Sequence, residues 1–157
     1  MGMEMPKPGL EHEKLHRLVG TWNGDEKMHP SPWGPGGPAS ARSVQRAAVD
    51  GFFVIQEYEQ TVDGKVMFRG HGIFGYDSRK KKVAWYWVDS MGMMPAEPSY
   101  GEWAGDKLEL YSESPDMGRQ RYTIELRGAD SYYFAIHGSR DGKSWAPFIE
   151  GVYTRAA

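Results

Sequence analysis

Two carboxylates and one arginine are the residues of this sequence best suited to chemistry. Glu57 and Asp89 each lie in a strand-like segment, and Arg46 lies in the segment before them. Two carboxylates in one weakly polar site push their pKa values apart, which suits a general acid paired with a general base. An arginine beside them would hold a carboxylate ionised, which favours a satisfied network or a polar ligand pocket.

Aromatic side chains accompany these charged groups. The turns at Asp63-Gly64 and at Ser78 to Lys81 set the register of two hairpins, and register decides which side chains share a face. One face is predicted to be the interior, and it collects Phe53, Ile55, Glu57, Glu59, Phe68, Phe74, Tyr76, Val83, Trp85, Trp87 and Asp89. Gly70 leaves room on this face, and Glu57 and Asp89 are predicted to lean toward each other over it.

The elements that carry these residues are mostly strands. The 157 residues include 6 Trp, 9 Tyr and 6 Phe, a composition that favours sheets. Turn signals from Asp50-Gly51 to Asp141-Gly142 predict an antiparallel meander. About ten such strands would expose two edges unless the sheet closed, so we predict an all-β, closed up-and-down antiparallel barrel. We expect a single domain, with one short helix at about Leu10 to Val19 and the barrel at about residues 20–155.

Composition and charge argue against several classes of function. The formal net charge is −2 and no basic block is present, which argues against a nucleic-acid partner. The longest apolar run, Val83 to Val88, is too short to span a membrane as a helix. The charged triplet Asp25-Glu26-Lys27 is interpreted as solvated surface. We therefore expect a cytoplasmic protein with no membrane partner, no nucleic-acid partner and no cofactor.

Histidine motifs provide a further alternative, a haem or metal-binding barrel. The segment His12 to His16 reads HEKLH and matches the H-E-x-x-H zinc pattern. It has no obvious third ligand downstream, and His71 and His137 are predicted to face outward. A solvated helix face is therefore the preferred interpretation, and no metal site is assigned. The methionine-rich segment Met91 to Met94 is interpreted as apolar packing at the barrel mouth.

Several motifs resemble known barrel families. Gly20-Thr21-Trp22 opens the first strand and Tyr153-Thr154-Arg155 closes the last. This pairing resembles the calycin superfamily of lipocalin-like barrels, and the resemblance implies that the tryptophan packs near the arginine at a closed end. The segments Gly70 to Asp77 and Trp87 to Ser90 resemble, more specifically, the bacterial domain-of-unknown-function family 1579. The resemblance covers nearly the whole chain and implies the fold without an activity.

The predicted interior suggests functions from different classes. The leading function is binding of a small, partly aromatic or polar organic ligand in the lumen. Its predicted contacts are Arg46, Glu57, Phe74, Tyr76, Trp85, Trp87 and Asp89. The alternative is a cofactor-independent isomerase, cyclase or hydrolase in which Glu57 and Asp89 are the catalytic residues. A homodimer that uses the barrel only as a scaffold would draw its interface from Val54, Tyr58, Ile73 and Tyr86.

Overall fold

A computed structural model describes residues 2–157 of the chain. Over this range one short helix precedes ten strands. The elements are α1 (Leu10–His16), β1 (Gly20–Met28), β2 (Gly37–Ala48), β3 (Phe53–Val62), β4 (Lys65–Asp77), β5 (Lys82–Asp89), β6 (Ser99–Ala104), β7 (Lys107–Ser114), β8 (Gly118–Leu126), β9 (Ser131–Ser139) and β10 (Ala146–Arg155). The predicted helix and the predicted number of strands are both confirmed.

The ten strands form a closed antiparallel barrel in which each strand pairs with its neighbours along the chain. The first and last strands close it, because β1 pairs with β10 from Trp22↔Arg155 to Met28↔Ile149. Closure pairs the two edges that an open meander would expose to solvent. This is the fold class that the turn spacing predicts.

Helix α1 covers one end of the barrel, which we call the closed end. Leu15 and Leu18 are 1% and 0% exposed and belong to the barrel core. The helix ends earlier than predicted because the residues after His16 form a tighter turn, in which the Val19 N–H donates to the His16 carbonyl. The closed end is therefore sealed by leucines from α1 and from the turn after it.

Trp22 and Arg155 meet at this closed end, as the calycin resemblance implies. Cζ of Arg155 lies 4.2 Å from the centroid of the Trp22 ring. Trp22 Nε1 donates to the Leu18 carbonyl at 2.9 Å. Arg155 donates to the carbonyls of Val19 at 2.7 Å and Ala129 at 2.9 Å. The two residues thus join the helical turn, the first strand and the last strand.

A β-bulge between β3 and β4 decides which residues face the interior. The two strands pair next to their turn as predicted, but the register then shifts and Met67 has no partner. Glu57 consequently pairs with His71, whereas the two-residue turn alone predicts Gly70. Because side chains alternate between faces, a shift of one residue moves the whole of β3 to the opposite face relative to β4. The pairing of β2 with β3 is as predicted, so the side chains of β2 are reversed together with those of β3.

The predicted inner face is therefore wrong for β2 and β3 and correct for β4 and β5. On β2 and β3 the residues that point away from the interior are Arg46, Phe53, Ile55, Glu57 and Glu59. The residues that point inward in their place are Ser43, Gln45, Val54, Gln56, Tyr58 and Gln60. The proposed interface residues Val54 and Tyr58 are thus interior residues. The predicted pairs between β4 and β5, including Gly70↔Asp89 and Phe74↔Trp85, are all present.

Candidate functional site

The barrel interior divides into two halves that differ in their access to solvent. The half next to α1 is the closed half. Most of its inner face is fully buried, as at Trp22, Val54, Phe74, Val83 and Leu108, whereas Tyr76 and Trp103 there are partly exposed. The opposite half is the open half. Its inner face carries side chains that stay partly exposed, namely Tyr58, Phe68, Trp87, Asp89, Gln120, Tyr122 and Phe134. These side chains are on the inner face of a closed barrel, so they reach solvent at the mouth of the open half.

A buried carboxylate, Glu26, occupies the open half. It is 5% exposed and lies on β1, four residues after Trp22 and on the same face of the strand. Its oxygens accept hydrogen bonds from the Tyr58 hydroxyl at 2.8 and 2.9 Å and from Gln60 Nε2 at 3.1 Å, and one of them accepts a short bond from the Tyr153 hydroxyl. The interpretation of this residue as solvated surface is therefore wrong. The signal that the interpretation missed is the alternation within β1, which puts Trp22 and Glu26 on the same face.

The two tyrosines that hold Glu26 are protonated donors. Burial raises the pKa of the Tyr58 hydroxyl, and the negative charge of Glu26 raises it further. Burial likewise raises the pKa of Tyr153 well above its usual range, with the charge of Glu26 as the next cause. Both phenols therefore remain neutral at ordinary pH, and the carboxylate receives its hydrogen bonds from uncharged groups.

Indole rings fill the space over the two glycines of β4. A Cβ at Gly70 would lie 2.0 Å from Cζ2 of Trp87, and a Cβ at Gly72 would lie 2.6 Å from Nε1 of Trp85. Glycine is required at both positions because the rings lie directly on the backbone. The open space predicted over Gly70 is thus filled by the Trp87 ring.

These indoles belong to an aromatic wall, formed by Tyr58, Trp87, Trp85 and Tyr122. Ring centroids along the wall are 5.8 Å apart for Tyr58 and Trp87, 5.1 Å for Trp87 and Trp85, and 5.0 Å for Trp85 and Tyr122. Phe74 stacks on Trp85 at 5.6 Å but is only 1% exposed, so it belongs to the core of the closed half. The wall crosses from that core into the open half.

Asp89 is the last residue of β5, and the chain continues from it into the loop of residues 90–98. Its Oδ2 accepts from Trp87 Nε1 at 2.8 Å and its Oδ1 accepts from the Met91 N–H at 2.9 Å. Strand β5 pairs with β6 only from Val83 to Trp85, so residues 90–98 cover the rest of that side. Met91, Met93 and Met94 in this loop are 57%, 63% and 78% exposed. The expectation that these methionines are packed is therefore wrong.

The predicted pair of Glu57 and Asp89 is not formed. Glu57 lies on the outer surface with its side chain 60% exposed, and its Oε1 is 2.5 Å from Nδ1 of His71. Arg46 is also exposed on the outer surface. Asp89 faces the lumen, so the barrel wall separates it from both residues. The bulge at Met67 is the cause, because it turns β3 and β2 relative to β4 and β5.

Four polar atoms on the inner face are buried without a hydrogen-bond partner in the described chain. They are Oε1 of Gln45, Oε1 of Gln56, Nε1 of Trp85 and Nε1 of Trp103. Gln45 and Trp85 are only 3% and 5% exposed. Buried polar groups are nearly always hydrogen-bonded, so unpartnered atoms facing a lumen mark positions where a bound molecule would be favoured.

The histidines of the H-E-x-x-H segment have structural partners. His12 Nδ1 accepts from the Gly9 N–H at 2.9 Å, and the His12 ring meets Phe52 edge-on at 5.2 Å. His16 Nε2 donates to the Gly51 carbonyl at 2.8 Å. Among residues 2–157 no group of three His, Cys, Asp or Glu side chains is arranged to hold a metal ion. His12 thus caps the start of α1, and His16 attaches the end of the helix to the turn after β2.

Two grooves lie along β6. One of about 280 Å³ lies between α1 and the closed end of the barrel, and its lining includes Glu11, Lys14, Tyr76 and Trp103. The other, of about 440 Å³, lies on the outside of the barrel and is lined in part by Lys107 and Glu109. Each is bordered by both charge signs, and neither has the inward-facing aromatic surface of the open half. Within residues 2–157, no helix is sufficiently long and apolar to span a membrane.

The fold is a lipocalin-like barrel that is closed by α1 at one end and has partly exposed aromatic side chains at the other. Residues 7–155 match the family described as "Protein of unknown function (DUF1579)", and the chain belongs to that family. The predicted family is thereby confirmed.

Two solved structures share the fold. Rv2717c from M. tuberculosis is similar with a TM-score of 0.72 and 16% identity, covering 95% of this chain and 99% of that chain. The S-type phycobiliprotein lyase CPES from Guillardia theta is similar with a TM-score of 0.64 and 11% identity, covering 96% of this chain and 99% of that chain. No curated protein matches the sequence. At these identities the likeness establishes the fold alone.

Proposed function

We propose that the open half of the barrel binds a small, partly aromatic organic ligand. The observation that carries the proposal is the partial exposure of Tyr58, Trp87 and Tyr122 on the inner face of a closed barrel whose other half is largely buried. Aromatic surface inside a concave site, with a few convergent polar groups, is typical of small-molecule pockets.

The ligand contacts proposed from the structure differ in part from those predicted. Trp85, Trp87 and Asp89 remain, and Tyr58, Tyr122 and Glu26 join them. Arg46 and Glu57 are removed because they lie on the outer surface. Phe74 and Tyr76 are removed because they lie toward the closed end, where Phe74 is 1% exposed.

The polar groups of the open half suit orientation of such a ligand. Glu26 is held by three side chains from other strands, and Asp89 is held by an indole N–H and a backbone N–H. Both carboxylates are therefore pre-positioned, which lowers the entropy cost of binding. The acid–base alternative needs Glu57 beside Asp89, an arrangement that the register excludes, so binding is the function we propose.

The comparison with solved structures supports the proposal at the level of the fold. One of the solved structures with a similar fold is named a phycobiliprotein lyase. We propose that this chain uses the same kind of barrel to hold a ligand with an extended aromatic or conjugated frame.

The first test is mass spectrometry of the freshly purified chain under native and denaturing conditions. A bound organic molecule is expected as added mass that is lost on denaturation. The same protein is then titrated with small aromatic compounds while tryptophan fluorescence is recorded. We expect the binding signal to fall strongly in Trp87→Phe, since Trp87 lies in the lumen.

The matched control is Trp145→Phe. Trp145 lies outside the barrel, where its ring contacts Arg121 at 4.7 Å. This variant should keep the binding signal. An equal response of both variants, or a folded chain with neither added mass nor any titration, would contradict binding in the open half.

A further inference from the structure

The carboxylates of the open half have no cationic partner. The ion pairs formed within residues 2–157 involve other residues, and neither Glu26 nor Asp89 is paired with a lysine, arginine or histidine. Arg155, which projects from the last strand, lies on Trp22 at the closed end. The lumen of the open half therefore contains two negative groups that nothing in the described chain neutralises.

Glu26 is the more buried of the two carboxylates. A carboxylate that is 95% buried is expensive unless it is paired. Its hydrogen bonds from Tyr58, Gln60 and Tyr153 compensate only in part, because all three donors are neutral. A cation that enters the open half would supply the missing counter-charge near Glu26, which is largely shielded from water, so the attraction is stronger than in bulk solvent.

The unpartnered atoms are an independent indication of a bound molecule. Trp85 is more than nine-tenths buried and projects from the inner face of β5, where its ring centroid lies 5.1 Å from that of Trp87. Its Nε1 lacks a partner, and so does Oε1 of Gln56 on the inner face of β3. One donor and one acceptor are thus unsatisfied, so a ligand that satisfies both carries an acceptor as well as an N–H or O–H donor.

The aromatic wall also attracts cations. Tyr58, which donates to Glu26, and Trp87, which donates to Asp89, have ring centroids 5.8 Å apart. The faces of tryptophan and tyrosine rings carry negative partial charge and attract cations. Each carboxylate is thus directly joined to a ring of the wall, and the two kinds of group act on one site.

We infer that the open half selects an organic cation, a protonated amine or another N–H-bearing cation on a planar aromatic or conjugated frame. The positive group faces Glu26 and Asp89, and the frame lies on the aromatic wall. The inference rests on the proposed function and adds the charge of the ligand to it.

The test uses three probes with one ring system and three charges: naphthalen-1-ylmethylammonium, naphthalen-1-ylmethanol and naphthalene-1-carboxylate. Binding to the full chain is measured by calorimetric titration at pH 7 in 0.15 M salt. The ammonium probe is expected to bind at least tenfold more tightly than the alcohol, and the carboxylate probe is expected to bind most weakly.

Variants then assign the effect to the lumen. Glu26→Gln keeps an oxygen to accept from Tyr58 and removes the charge, so the ammonium affinity is expected to fall at least tenfold while the alcohol affinity stays within twofold. Asp89→Asn is expected to act in the same direction and provides a second variant if Glu26→Gln folds poorly. The matched control is Glu57→Gln, which removes the same charge from the outer surface and should change no affinity by more than twofold.

The outcomes separate the two proposals. An alcohol or carboxylate probe that binds as tightly as the ammonium probe, with a response lost in Trp87→Phe, would overturn the charge preference and leave ligand binding intact. Equal losses in Glu26→Gln and Glu57→Gln would also overturn it, because the effect would then come from net charge. No binding by any of the three probes would overturn both proposals.

Discussion

The closed and open halves of the barrel use the same strands for different purposes. Strand β1 contributes Trp22 to the closed half and Glu26 to the open half, and β5 contributes Val83 to one and Asp89 to the other. At the closed half, the inward side chains of Trp22 and Val83 are each 1% exposed. At the open half, aromatic rings and carboxylates retain exposure that a packed core would remove. Stability is thus concentrated at one end, which leaves the other end free to bind.

This division resembles a general feature of proteins that bind ligands. Apolar burial contributes most of the free energy of folding, whereas exposed or charged groups inside a cavity are retained at a cost to stability. The comparison between the two halves therefore predicts where substitutions destabilise the chain and where they leave it folded.

The largest expected effect is at the closed half. Trp22→Ala removes a side chain that is 1% exposed, together with its contact to Arg155 and its bond to Leu18. We expect a loss of about 3–5 kcal/mol in the free energy of unfolding, measured by urea denaturation. Phe68→Ala in the open half is the comparison, and its loss is expected to stay below about 2 kcal/mol because the ring is already partly exposed. Equal losses would show that the two halves are packed alike.

A smaller effect is expected where the aromatic wall meets the β4 backbone. Gly70→Ala places a Cβ 2.0 Å from the Trp87 ring, so Trp87 must move. We expect a loss of about 1–3 kcal/mol in the free energy of unfolding. The control is Gly138→Ala on β9, where an added Cβ meets only the Arg119 carbonyl at 3.9 Å. That change is expected to be neutral or to stabilise by up to about 1 kcal/mol.

The smallest expected effect concerns alkaline pH. The unfolded chain releases phenolic protons near pH 10, whereas burial raises the pKa of Tyr58, Tyr132 and Tyr153 in the folded barrel. Above pH 10 the folded state therefore binds more protons, and the free energy of unfolding falls as pH rises toward the folded-state pKa values.

Tyr153→Phe removes one of these groups. We expect its loss of stability between pH 9 and pH 11 to be smaller than that of the unchanged chain by about 1 kcal/mol, measured by urea denaturation at each pH. The two proteins compared at pH 7 and 9 give the pH-independent cost of the substitution. Parallel curves up to pH 11 would mean that Tyr153 ionises alike in both states.

Local signals predict most of the fold. Recurrent turns and alternating residues predict the meander, and closure follows because two long edges would otherwise stay exposed. Hairpins with tight turns and no bulge have the predicted pairs, for example Trp103↔Leu108 and Ile124↔Phe134. The contact of Trp22 with Arg155 is also as the family resemblance implies.

The candidate site is predicted less well, because a single extra residue changes the register of one strand pair. An extra residue at Met67 shifts the pairing of β3 with β4, and nothing in the local sequence distinguishes that strand end from a regular one. The shift exchanges Glu57 for Tyr58 on the inner face. The facing of Glu150 also stays open from sequence, and the structure places a bulge between Pro147 and Ile149 that turns it outward, toward Tyr133 and His29.

The sequence by itself determined the strands, their order and the apolar character of the interior, because these depend on turns and on alternation over about ten residues. Only the tertiary structure decided which carboxylates share the lumen. The partners of Glu26 come from β3 and β10, so Tyr58 and Tyr153 lie 32 and 127 residues away along the chain. Barrel closure and a single bulge bring these residues together, and neither can be inferred from a strand on its own, since a one-residue shift reverses every side chain in it.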